Sequence, residues 1–145
     1  MNQIGLFGAE APPAVVPTEV SEADRAMATS LGDRIRLGTS SWSFPGWTDV
    51  MWRGTPSQSL LAREGLPAYA HNPLFRTVGV DRTFYKPVDA ETYALWRRQV
   101  PDDFRFLVKA HDHLTTARFP RHPRFGTRAG EHNERFLDPA YALEA

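Results

Sequence analysis

Apolar and polar residues alternate along three short stretches of the chain, which is the pattern of β-strands whose two faces differ. The predicted strands cover about Arg34–Ser40, Thr77–Asp81 and Phe104–Ala110. In the third stretch phenylalanine and valine occupy every second position, with arginine, leucine and lysine between them. One side of that strand is therefore expected to pack against helices.

Residues with side-chain oxygens stand directly before segments of helical spacing, as helix N-caps do. The predicted pairs are Ser21 before Glu22–Leu31, Ser57 before a helix that reaches Glu64 and resumes over Tyr69–His71, and Asp89 before a helix from Ala90 to about Gln99. A single helical turn is predicted over Trp47–Trp52. Strands and helices thus alternate, and this order predicts parallel strands with crossover helices, an α/β fold.

The segment after the third strand lacks such a pattern. It is irregular from Ala110 to about Leu137, longer than an ordinary connection, before Asp138 and Pro139 begin a final helix. That helix has barely begun at Ala145, and three parallel strands leave two unpaired edges. We therefore expect the front part of a larger domain, shortened at its C-terminus, because a complete (β/α)₈ barrel needs roughly 250 residues.

Composition narrows the class of protein. The 145 residues have a formal net charge of zero, no cysteine, no signal-peptide pattern and no apolar run of transmembrane length. We expect a cytoplasmic domain without disulfides or thiol chemistry, with no cofactor, no nucleic-acid partner and no membrane partner. Residues 1–17, rich in Gly, Ala and Pro, are predicted to be flexible.

Three separated blocks carry a family resemblance. They are R-I-R-L-G-T-S-S-W-S-F-P-G-W over Arg34–Trp47, Thr83-Phe84-Tyr85 after the second strand, and F-R-F-L-V-K-A over Phe104–Ala110. Together they resemble the domain of unknown function 72 family (YecE-like), over roughly residues 34 to 145.

The resemblance implies a TIM barrel whose biochemical activity is unassigned. This chain would supply about three βα units of a partial (β/α)₈ barrel in residues 34–145, after a flexible tail in residues 1–33 that includes the short helix. Many members have Glu and Asn where this chain has Gly79 and Asp81, and Ser in place of Arg82. A role that rests on that glutamate is therefore absent here, and so are site residues on strands beyond this chain.

In a parallel barrel the site forms at the carboxyl ends of the strands. Strand alternation places Ser40, Asp81 and Lys109 toward the barrel interior near its mouth. The residues then expected to face the helices are Ile35, Leu37, Val78, Val80, Phe106 and Val108.

Lys109 and Asp81 are the candidate catalytic residues, since they stand on neighbouring strands, close enough to pair. In one interpretation Lys109 anchors an anion, or burial tunes its proton affinity, while Asp81 positions it or acts as a base. In the other they form a structural ion pair.

The candidate ligand-binding residues lie at the same strand ends. Thr39, Ser40 and Ser41 offer hydroxyl and backbone N–H groups for a phosphate or carboxylate, unless they only satisfy the turn's own backbone. Trp42 is either a pocket wall or a core residue. Tyr85, shortly after the predicted end of the second strand, is a further ligand-binding candidate.

His111-Asp112-His113 follows the third strand. Two histidines two positions apart on a strand face the same way, as metal ligands do, but spacing identifies no third ligand. We assign no metal and keep His111 as a ligand-binding candidate. The stretch His111–Arg135 would overhang the barrel mouth, either as a solvated loop or as a loop that grips phosphate or carboxylate groups. Its arginines are Arg118, Arg121, Arg124, Arg128 and Arg135.

The leading hypothesis is a barrel protein of uncharacterised function whose complete form is a small-molecule enzyme or a binder of an anionic ligand. Two alternatives stay open. The chain is an inactive truncated fragment, or it is a binding module that a second chain completes with the missing strands.

Overall fold

The structure is a computed structural model and describes residues 14–144. Within them, one parallel sheet follows the order of the chain: β1 (Leu37–Thr39), β2 (Phe75–Val80) and β3 (Arg105–Val108). Thr39 pairs with Val78, and Val78 with Phe106. The predicted parallel α/β arrangement is confirmed, with strand ends that differ from the predicted ones by up to three residues.

Helices and short 3₁₀ turns connect the strands. The helices are α1 (Glu22–Leu31), α2 (Gln58–Glu64), α3 (Leu66–Ala70), α4 (Ala90–Arg98), α5 (Asp112–Thr115) and α6 (Pro139–Glu144). The 3₁₀ turns cover Pro45–Trp47, Asp81–Phe84 and Pro123–Arg128. The predicted caps act as such: Ser21 Oγ accepts from the Asp24 N–H at 3.1 Å, Ser57 Oγ from Leu60 at 3.2 Å, Asp89 Oδ1 from Thr92 at 2.7 Å and Asp138 Oδ1 from Ala140 at 2.9 Å.

The helical turn predicted over Trp47–Trp52 is wrong in position. The turn is a 3₁₀ helix over Pro45–Trp47, with proline at its first position. It does not continue because Asp49 has a φ of 63°, in the left-handed region. Thr48 instead forms a bridge with Trp52.

Residues 1–13 of the predicted tail lie outside the described residues, and residues 14–17 differ from the expectation of a free tail. Val15 is buried in the core, and Pro17 forms an antiparallel bridge with Trp52. The Arg53 N–H donates to the Val16 carbonyl at 2.9 Å. The start of the described chain thus packs against the backbone around Trp52, a residue whose exposure is 0%.

The core lies between the helices and one face of the sheet. Leu61 of α2, Tyr69 of α3 and Trp96 of α4 pack in one buried cluster with Val78 and Val80 of β2. Burying an apolar side chain of this size stabilises a fold by about 1.5–3 kcal/mol relative to exposure. The cluster therefore fixes the sheet against its three connecting helices.

The opposite face of the sheet is open within residues 14–144. Gly38, Thr77, Gly79 and Leu107 line a groove of about 590 Å³ along it. Leu107 is 73% exposed. Gly38 lets β1 approach β2 closely, because a Cβ at that position would lie 2.1 Å from the Thr77 carbonyl oxygen.

Burial differs from the prediction at the two edges of the sheet. Val78 is buried and Phe106 packs against the core, as expected of residues that face the helices. Ile35, Leu37 and Val108 are exposed instead. They lie in or beside edge strands, where in the described residues no further element covers the backbone.

The post-β3 segment (residues 111–144) is largely irregular up to Leu137, as predicted, with only the short α5 and one 3₁₀ turn, but it is held together by tertiary contacts. Asn133 is buried at its centre, and its side-chain amide donates to the carbonyls of His113 at 2.7 Å and Thr116 at 2.6 Å. These contacts join residues 20 and 17 positions apart. A local pattern does not reveal them.

Candidate functional site

The carboxyl ends of the three strands meet at one edge of the sheet, as parallel strands require. Ser40, Asp81 and Lys109 follow β1, β2 and β3 and border the open groove together. The buried Thr83 ties two of these ends together, since its hydroxyl lies 2.7 Å from the Val80 carbonyl and 2.6 Å from the Lys109 carbonyl. The sequence-predicted positions therefore converge.

Asp81 and Lys109 form the expected pair across neighbouring strands. Asp81 Oδ1 lies 3.9 Å from Lys109 Nζ, and the two side chains are 58% and 52% exposed. An exposed pair at this distance contributes at most about 1 kcal/mol to stability. Both side chains are therefore reachable from solvent, which does not match the alternative in which burial tunes the proton affinity of Lys109.

A second cation shares an aromatic ring with Lys109. The Nζ atom of Lys109 lies 4.9 Å from the centroid of Phe84, and the Cζ atom of Arg124 lies 5.3 Å from the same centroid. Arg124 Cζ also lies 5.2 Å from the Tyr85 ring and 4.4 Å from the Phe125 ring. Two positive groups are thus held at the strand ends by one aromatic surface.

Arg124 is the arginine of the post-β3 segment that reaches the strand ends. Its Nη2 atom donates to Asp112 Oδ2 at 2.6 Å. The other arginines with described side-chain contacts pack within the segment itself: Arg118 donates to the Gly130 carbonyl, Arg128 lies over Phe119, and Arg135 lies over Tyr141. Sequence alone does not separate these arginines, because each carries the same charge in a segment without periodicity.

The hydroxyl-rich turn after β1 largely satisfies itself. The Thr39 hydroxyl donates to the Ser41 carbonyl at 2.7 Å, and the Ser41 hydroxyl accepts from the Ser43 N–H at 3.1 Å. Within the described residues, the Ser40 side chain has no such partner and it borders the groove. Of the three predicted hydroxyls, Ser40 is therefore the one best placed for a ligand.

Trp42 and Tyr85 differ in environment. Trp42 is buried edge-on against Trp96, with ring centroids 5.2 Å apart, although it also borders a depression of about 380 Å³ next to Asp81. Tyr85 is exposed and lies beside Arg124. Trp42 thus contributes to the core, whereas Tyr85 belongs to the exposed aromatic surface.

The candidate residues fall within a region shared with other proteins. The family model described as a protein of unknown function, DUF72, matches residues 36–145. The chain belongs to the DUF72 family. No curated protein and no solved structure matches the chain. The DUF72 region includes every candidate site residue from Thr39 to Arg124, but it leaves out the buried Val15.

His111 lies just beyond the strand ends of this DUF72 chain and is buried. Its Nδ1 atom accepts from the His113 N–H at 3.2 Å, so the Tyr141 hydroxyl, 2.9 Å away, donates to the same atom. The proton of a neutral His111 ring is therefore on Nε2. His111 does not border the groove, and its described contacts are those of a residue that begins α5 and anchors α6.

His113 is partly buried beside the rings of His111 and Tyr141. Burial lowers the pKa of His113, the nearby Asp112 carboxylate opposes that effect, and Arg128 reinforces it. Because arginine can only donate, the contact of 2.9 Å from Arg128 Nη1 makes His113 Nε2 an acceptor. Within residues 14–144 no group of three or more His, Asp or Glu side chains is placed to hold a metal ion.

Proposed function

We propose that this DUF72 chain binds a small anionic ligand at the carboxyl ends of β2 and β3. The single observation that carries the proposal is the pair of cations, Lys109 and Arg124, held against the ring of Phe84. A guanidinium binds carboxylate and phosphate groups through two parallel donors, and an ammonium adds a point charge. Asp81, 3.9 Å from Lys109 Nζ, is the carboxylate beside this cation pair.

We further propose that the sheet forms the first three strands of a (β/α)₈ barrel. Strand order that follows chain order supports this, together with packing of α2, α3 and α4 on a single face of the sheet. Doubly wound folds cover both faces with helices, whereas a barrel keeps its helices outside and its strand ends around the site.

Titration of the full chain with inorganic phosphate and, separately, with acetate tests the binding site. The probe signal is backbone amide NMR at constant ionic strength. Saturable shifts are expected at Lys109, Phe84 and Arg124, and the Lys109→Met and Arg124→Met variants should each weaken phosphate binding by about tenfold, the equivalent of one good charged contact.

Arg63→Met is the matched control because Arg63 is an exposed arginine on α2, outside the site. It should bind phosphate as the unchanged chain does. Shifts distributed evenly over all basic residues, or equal weakening by the control variant, would contradict the proposed site.

A second candidate is a binding module completed by another chain that supplies further strands. The observation that favours it is the open sheet face, on which Leu107 is 73% exposed. Apolar side chains on an uncovered sheet face are commonly the contact surface of another element.

A further inference from the structure

We propose that Asp112 is the positioning residue that holds Arg124 in the anion site and leaves one edge of its guanidinium for the ligand. This inference rests on the proposed function, because it assigns the way in which that site is kept ready. It also narrows the ligand to an oxyanion that presents two oxygen atoms along one edge, as carboxylates and phosphates do.

The Asp112 carboxylate forms an ion pair with Arg124. Its side chain is 10% exposed, and its Oδ2 atom accepts from Arg124 Nη2 at 2.6 Å. The other oxygen, Oδ1, lies 3.5 Å from His111 Nδ1 and 3.8 Å from His113 Nε2. Those ring nitrogens act as acceptors toward Tyr141 and Arg128, so they offer no proton to the carboxylate. Arg124 is therefore its charge partner at hydrogen-bond distance.

Arg124 uses only part of its hydrogen-bonding capacity. Among residues 14–144, the bond to Asp112 is the one that its side chain makes, whereas a guanidinium carries five N–H donors. The side chain is 34% exposed. The rings of Phe84, Tyr85 and Phe125 surround the Cζ atom at 4.4 to 5.3 Å. The group is thus fixed by one carboxylate and three rings while its remaining donors stay available.

The backbone that carries Asp112 is itself held. Its carbonyl accepts from the Thr116 N–H at 2.9 Å, closing the turn of α5. The Asn133 amide binds the carbonyls of His113 and Thr116 from the other side. A positioning residue is effective only when its own position is fixed, and these hydrogen bonds fix both ends of the α5 turn.

The first test begins with the unchanged chain. Rotation of the Arg124 guanidinium about its Cζ–Nε bond is followed by ¹⁵N NMR of the full chain. A held guanidinium should give separate Nη signals, whereas averaged signals in the unchanged chain would overturn the inference. The Asp112→Asn variant keeps the side-chain shape and should merge the two signals.

The second test joins the two side chains. Asp112→Asn should weaken binding of inorganic phosphate by about tenfold, and should weaken it no further when combined with Arg124→Met. The matched control, Asp102→Asn, removes the exposed partner of Arg97 and should leave both the Arg124 signals and phosphate binding unchanged.

Two outcomes separate the inference from the proposed function. Separate Nη signals without any phosphate binding would overturn the anion site, and with it the assigned purpose of Asp112. Phosphate binding that responds to Arg124→Met but not to Asp112→Asn would keep the site and overturn the positioning role.

Discussion

The hydroxyl group of Tyr69 links β1 and β2 from the side of α3. It accepts from the Thr39 N–H at 3.0 Å and donates to the Thr77 carbonyl at 3.1 Å. Burial raises the pKa of Tyr69, although the hydrogen bonds from Thr39 oppose the shift. One buried hydroxyl thus satisfies a donor and an acceptor beside the register shift between the two strands.

Replacing Tyr69 with Phe is expected to lower the free energy of unfolding by about 1–3 kcal/mol, because the Thr39 N–H and the Thr77 carbonyl lose their partner. Chemical denaturation of the full chain measures the change. Tyr93→Phe is the matched control. Tyr93 packs partly against the same core, but among the described contacts its hydroxyl makes no hydrogen bond. A loss of similar size in both variants would contradict the role of the Tyr69 hydroxyl.

At the scale of elements, the post-β3 segment contains a histidine, His113, whose surroundings disfavour its charged form. The groups that face His113 are Asp112, which favours the charged form, and Arg128, His111 and Arg135, which oppose it. Burial is the largest cause of its lowered pKa. The folded segment therefore prefers His113 neutral.

This preference predicts how stability depends on pH. The contribution of neutral His113 is complete above the pKa of an unfolded histidine, about 6.5, and is lost as the pH falls through the lower pKa of the folded chain. The free energy of unfolding should therefore decrease on acidification from about pH 6.5. His113→Gln should flatten this part of the profile, as measured by denaturation at a series of pH values.

His71→Gln is the control, since His71 is an exposed histidine at the end of α3. It should leave the decline in place. An unchanged decline in the His113→Gln variant would show that other groups cause it.

Local patterns predicted the elements that local interactions create. The Ser21, Ser57 and Asp89 caps, and with them the starts of α1, α2 and α4, follow from side chains within three residues of the helix start. The turn after Trp47 and the post-β3 segment do not, because Trp52 and Asn133 are placed by partners far along the chain. Arg124 could be named as one arginine among several, but its contact with Phe84 is a tertiary one.

At the scale of the whole molecule, the two faces of the sheet predict opposite responses to a polar substitution. Leu107→Gln on the open face should change the free energy of unfolding of the isolated chain by less than about 0.5 kcal/mol. Val78→Thr, on a side chain that is 0% exposed, should lower it by about 1–3 kcal/mol because it buries a hydroxyl. Denaturation with light scattering gives both the stability and the mass of the species.

A comparable loss in the two variants of a monomer would contradict an open face. A specific complex of the full chain that Leu107→Gln weakens would instead support completion of the sheet by another chain. The two results distinguish a sheet face that another chain covers from a sheet face that is exposed to solvent.

The residues that build the core of this chain extend beyond the segment that matches the DUF72 family model. The match to the DUF72 family model begins at residue 36, yet Val15 belongs to the buried core cluster that contains Trp52, and Pro17 forms a backbone bridge with Trp52. A polypeptide that begins at residue 36 would keep every residue of the candidate site. It would lack Val15 and Pro17, so Trp52 should become more exposed to water. Its fluorescence would report a damaged core in a fragment whose family region is intact.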